Sequence, residues 1–141
     1  MSTNDPYDLQ RFVEAQSGCF EEVCNELRAG RKKSHWMWFI FPQLQGLGSS
    51  PMAVRYAISS KQEAEAYLQN GILGPRLRQC TELVLRVEGR SVQQIFGSPD
   101  DLKFRSSMTL FANVGAENSV FQDALRKYFA GQPDPLTIGR L

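Results

Sequence analysis

The sequence predicts an all-α fold, a single compact domain of about seven or eight helices spanning residues 1–141. Three observations carry this. Apolar residues recur at helical spacing along nearly the whole chain. Helix-starting and helix-stopping residues flank those stripes. The one run that alternates, "LVLRV" at 83–87, continues a helical stripe in phase and so reads as helix.

Leu9, Phe12 and Val13 give a first short face. Phe20, Val23, Cys24 and Leu27 follow i, i+3, i+4, i+7 and define a second helix that Gly30 ends. Ser34 is placed to cap a short buried helix over His35–Phe41, which Pro42 stops. Pro51 suits the first position of another helix. Ser60 and Glu63 have capping-box spacing for a helix running to Asn70–Gly71. Leu73, Leu77, Cys80, Val84 and Val87 form a long stripe, with Pro75 tolerated in its first turn. "SVQQIFG" is a helical turn or two. In "SPDD", Ser98 reads as N-cap, Pro99 as N1 and Asp101 as N3 of the next helix. A last helix carries Phe121, Ala124, Leu125, Tyr128 and Phe129, closed by Gly131.

Composition excludes several classes of protein. With 42% hydrophobic and 22% charged residues the chain is patterned to fold, and a net charge of +1 gives no whole-molecule field for nucleic acid or membrane. The modest number of cations and the lack of a nucleic-acid motif argue in the same direction. The N-terminus has neither a basic nor an apolar leader region, and no run approaches the ~20 residues of a membrane span. A soluble, cytoplasmic protein is expected. Cys19, Cys24 and Cys80 make no CxxC and no even disulfide set, and a single histidine completes no metal cluster. No cofactor-binding signature is present.

The strings "DLQRFVEAQ", "ELRAGRKKSHWMWFIFPQLQGLGSS", "YLQNGILGPRLRQCTELVL" and "IFGSPDDLKFRSSMTLFA" cover most of the chain. Through them it resembles the bacterial domain-of-unknown-function 1810 family, some of whose members carry the label "calpastatin". The resemblance implies an all-α fold with a superhelix-like arrangement of helices, and no established activity. The calpastatin label does not suit this chain, because that inhibitor is a long, largely disordered repeat protein. One departure from the family is Gln45, where a further basic residue is expected.

Charge is distributed unevenly. No acid lies between Glu26 and Glu63, while Arg28, Arg31, Lys32, Lys33, Arg55 and Lys61 fall in or beside that stretch. It also holds both tryptophans and the single histidine. A pocket for a small anion, phosphate-bearing and nucleotide-like, is the leading reading. Arg31 and Lys32 would supply charge, and Trp38 a flat wall for a ring. Gly46, Gly48, Ser49 and Ser50 would form an anion-binding loop entering a helix at Pro51, with Arg55 one turn further on. It is neither a Walker loop nor a Rossmann fingerprint. In "SPDDLKFRSSMTLF", Lys103 and Ser107 fall within the apolar face, whereas Arg105, Ser106, Thr109 and Asn113 take the other side. An inward lysine must snorkel, pair with an acid such as Asp100, or meet a bound anion. His35 is the candidate general acid or base if the ligand is also turned over. The alternative is an interaction module that docks a protein or nucleic acid through the basic Arg28–Arg55 segment, without catalysis.

Overall fold

The apolar stripes become helices packed on one core. The computed structural model describes residues 5–114 and 119–141, and among them it contains ten helices and no extended strand. These are α1 (Gln10–Ser17), α2 (Phe20–Arg28), α3 (Met37–Ile40), α4 (Pro51–Arg55), α5 (Lys61–Gln69), α6 (Leu73–Leu85), α7 (Val92–Phe96), α8 (Asp100–Ala112), α9 (Ser119–Phe129) and α10 (Pro135–Ile138). The all-α expectation is met. The count exceeds the expected seven or eight, and α10, a single turn with no apolar period of its own, was not read from the sequence. None of the helices is long and apolar enough to cross a membrane.

Helix α8 is the hub, packed against α3, α5, α7, α9 and α10, while α6 packs on α2, α5 and α9. The "WMWFIF" run enters the core at Trp36, Met37, Phe39, Ile40 and Phe41, each under a tenth exposed. Phe104 of α8 stacks on Phe96 at 4.7 Å and meets Phe41 edge-on at 5.0 Å. Buried polar groups join the elements. Gln16 donates through Nε2 to Phe39 O and to the Tyr67 hydroxyl, linking α1 to α3 and α5. Arg11 spans from α1 to Glu63 of α5 at 2.9 Å and donates to Arg55 O and Ala57 O. A parallel bridge between Leu44 and Ile58 ties off the excursion that contains the glycine loop and α4.

Two local expectations are corrected. Ser34 does not cap a helix over His35–Phe41: its hydroxyl donates to Glu26 Oε2 at 2.5 Å, and the helix begins at Met37 with Trp36 as N-cap. Among the described residues no backbone N–H donates to Ser34 Oγ, and its hydroxyl is turned to the carboxylates of Glu26 and, at 3.3 Å, Glu22. Ser98 does not cap α8. Pro99 holds that position after a cis Ser98–Pro99 bond, and the first N–H groups of the turn donate to Gly97 O and Pro99 O. The polar side of α8 is covered in part, with Asn113 exposed at its end. Ser106 and Thr109 are buried because Asp134 at the start of α10 accepts from the Ser106 hydroxyl at 2.9 Å, and its N–H donates to Thr109 Oγ1 at 2.8 Å.

Candidate functional site

Glu26 organises the basic turn. Its carboxylate accepts from Lys33 N–H, Ser34 N–H, Ser34 Oγ and the Trp36 indole N–H. Burial by itself would raise its pKa, but these hydrogen bonds prevail and hold it at about 2. The acid-free stretch is therefore served by an acid on the preceding helix. With Lys32 N–H donating to Ile95 O at 2.7 Å, the turn is fixed between α2 and α7, and Lys32 alone of the three cations is directed inward.

Lys32 Nζ lies 2.9 Å from Asp100 Oδ2, and its side chain is 8% exposed. Lys103 Nζ, one turn along α8 from Asp100, lies 3.6 Å from Oδ1 of the same carboxylate. Two cations thus share one anion, which leaves a surplus of one positive charge. Each lysine also faces an indole, Lys32 at 5.2 Å from the Trp36 ring and Lys103 at 5.6 Å from that of Trp38. The tryptophans divide as their spacing requires. Trp36 is core, and Trp38 is half-buried.

A cleft of about 520 Å³ opens beside Lys103. Its walls are Gln43, Leu47 and Gly48 on one side, the start of α8 on a second, and Asp134 and Leu136 of the α10 turn on a third. Gln43 and Gly48 also border a void of about 10 Å³ beneath Trp38, the size of a single water. Two buried polar atoms have no protein partner among the described residues: Trp38 Nε1, which can only donate, and Ser107 Oγ, one turn beyond Lys103.

The structure brings together Lys32, Trp38, Gly48 and Lys103, with Ser107 fully buried on the next turn of α8. It does not bring in the others. Arg31 lines a separate groove with Glu22 and Glu26. His35 is exposed and outside the cleft, so the general acid or base role has no geometric support. Arg55 is exposed at the end of α4, 5.6 Å from the Tyr56 ring, and is likewise outside it.

The glycine loop is not an anion cradle at a helix terminus. Ser50 caps α4 by accepting from Ala53 N–H, Ser49 is exposed, and α4 has only 5 residues. Its glycines answer to the protein's own packing. Gly46 has φ 96°, and a Cβ there would lie 2.5 Å from Arg140 Nη1; a Cβ on Gly48 would lie 2.8 Å from Ala53 Cβ.

Sequence reasoning missed Leu47, Leu102, Leu136 and Arg140. Only the Asp134–Pro135 pair, an N-cap followed by N1 proline, signals the α10 turn that brings Leu136 to the cleft.

Fold and site together define a small all-α protein with a partly apolar cleft bordered by Lys103, one member of a lysine–carboxylate cluster. Residues 6–141 match the model of a protein family of unknown function, DUF1810, and the chain belongs to that family. It is similar to the conserved hypothetical protein Rv1873 from Mycobacterium tuberculosis, whose crystal structure superposes with a TM-score of 0.96 at 60% identity, over 97% of this chain and 98% of that one. No curated protein matches.

Proposed function

We propose that the protein binds a small anionic ligand in the cleft beside Lys103. The observation that carries this reading is the Asp100 carboxylate shared by Lys32 at 2.9 Å and Lys103 at 3.6 Å, at the edge of a cavity large enough for a small molecule. A bound phosphate or carboxylate would neutralise the surplus charge, and Lys103, 27% exposed, is placed to meet it. Trp38 stands behind Lys103, its ring 5.6 Å from Nζ, and its buried indole N–H has no protein acceptor among the described residues.

Arg105 and Asp134 do not alter that balance. Both line the cleft and their opposite charges offset one another, with Arg105 held by Gln132 O and Pro133 O and Asp134 by Ser106 and Thr137. With His35 outside the cleft, the proposal is binding without an assigned chemical step. An interaction surface along Arg28–Arg55 is the weaker reading. Lys32 is taken up by Asp100, and Arg28 bonds Asn25 of its own helix.

A thermal-shift series with inorganic phosphate, pyrophosphate, nucleotides and sugar phosphates tests the proposal. A ligand at ~100 times its Kd stabilises the folded state by about 2.7 kcal/mol, and Lys103→Gln should remove most of that gain while leaving the unliganded melting temperature nearly unchanged. Equal shifts in wild type and Lys103→Gln would place the ligand elsewhere.

A further inference from the structure

The cleft has two kinds of wall, and a bare anion uses only one. Lys103 stands at one side, while Leu47, Pro99, Leu102 and Leu136 line the rest. Leu102 is 56% and Leu136 68% exposed, among the most exposed large apolar side chains of the described residues. They come from separate elements, α8 and α10, and neither is needed by the core. In α8 the core face is filled by Phe104, Met108 and Phe111, leaving Leu102 outside it. In α10 it is Thr137 that is buried, and Leu136 beside it remains in water. Two such leucines converging on the cleft that holds a half-satisfied lysine amount to an amphipathic receptor.

From this segregation, and resting on the anion-binding reading above, we infer that the ligand is an amphipathic anion: a carboxylate or phosphate head joined directly to an apolar chain or ring. The head pairs with Lys103, and the apolar body covers Leu102, Leu136 and Leu47. Charge complementarity fixes its orientation. The other cation of the cleft, Arg105, is held by Gln132 O at 3.1 Å and Pro133 O at 3.0 Å, and Asp134, whose Oδ2 accepts from the Ser106 and Thr137 hydroxyls, offsets its charge. Lys103 is thus the head-group contact, and the leucines lie beside it on the α8 and α10 walls.

Calorimetric titration of the full chain with butanoate, hexanoate, octanoate and octyl phosphate, each below its micelle concentration, tests the inference, with 1-octanol and inorganic phosphate as controls. Affinity is expected to rise about 3- to 4-fold per added methylene. Octanol is expected to bind at least ~10-fold more weakly than octanoate. The double variant Leu102→Asn, Leu136→Asn changes only exposed side chains. It should flatten the chain-length dependence while keeping phosphate binding, and Lys103→Gln should abolish the preference for acid over alcohol. Phosphate or nucleotide binding with no chain-length dependence would overturn this inference and leave the anion-binding reading intact. Binding by none of the anions would overturn both. A concentration-dependent dimer lost in the leucine variant would make a second copy of the chain the occupant, and would also overturn it.

Discussion

Glu26 accepts four hydrogen bonds from the turn that carries Arg31, Lys32 and Lys33, and this arrangement directs one of those three cations inward. A drop in pKa from 4.5 to about 2, at about 1.4 kcal/mol per unit, corresponds to stability on the order of 3 kcal/mol. Because the folded-state pKa is depressed, that contribution is present in full above 4.5 and is lost as pH falls towards 2. Glu26→Ala should cost about 2–4 kcal/mol at pH 7 in urea unfolding and flatten the acid limb of the stability–pH curve. An unchanged acid limb would show that Glu26 does not hold the turn. Asp100 makes the complementary case. Asp100→Asn strands the buried Lys32 charge, at a cost of about 1–3 kcal/mol. It also removes the competitor for Lys103, so anion affinity should rise as stability falls. Opposite movement of those two measurements separates a shared binding charge from a purely structural ion pair.

At the scale of elements, close approaches dominate. A Cβ on Gly74 at the start of α6 would lie 2.1 Å from the Leu68 carbonyl oxygen of α5. Backbone cannot yield as a side chain can, so Gly74→Ala should destabilise by at least ~2 kcal/mol in chemical denaturation, despite the better helix propensity of alanine. The α10 turn is the other decisive element. Asp134→Ala removes the acceptor of the Ser106 and Thr137 hydroxyls and should cost about 1–3 kcal/mol, with faster amide exchange confined to the C-terminal turn. Long stripes such as Leu73–Val87 were legible in the sequence because a period repeated over several turns outweighs local ambiguity. The turn at Pro135 was not, since 4 residues carry no period. Nor did sequence spacing say whether Arg31, Lys32 or Lys33 would turn inward. A loop has no phase, and the choice was made by Glu26 and Ile95, distant in position or on another helix. A helix does have a phase, and the inward placement of Lys103 and Ser107 was legible from that of α8. The expected convergence of His35 and Arg55 depended on tertiary placement, and it does not occur.

At the scale of the molecule, the aromatic core around Phe104 and the cleft share α8, so the helix that stabilises the fold also presents Lys103 to the site. A site on a packed helix is preorganised, and binding there needs little rearrangement of the protein. The Leu47–Gly48 wall belongs to an excursion anchored by the Leu44–Ile58 bridge. The chain carries two tryptophans, and their indole N–H groups offer separate reporters. That of Trp36 is tied to Glu26, whereas that of Trp38 has no acceptor among the described residues. The most direct measurement is a proton–nitrogen NMR titration of the uniformly labelled protein with phenyl phosphate. The account predicts saturable shifts at the Trp38 indole, at Leu47–Gly48 and along Leu102–Ser107, with the Trp36 indole unmoved. Shifts centred on Arg31–His35 or Arg55, or none at any concentration, would contradict it.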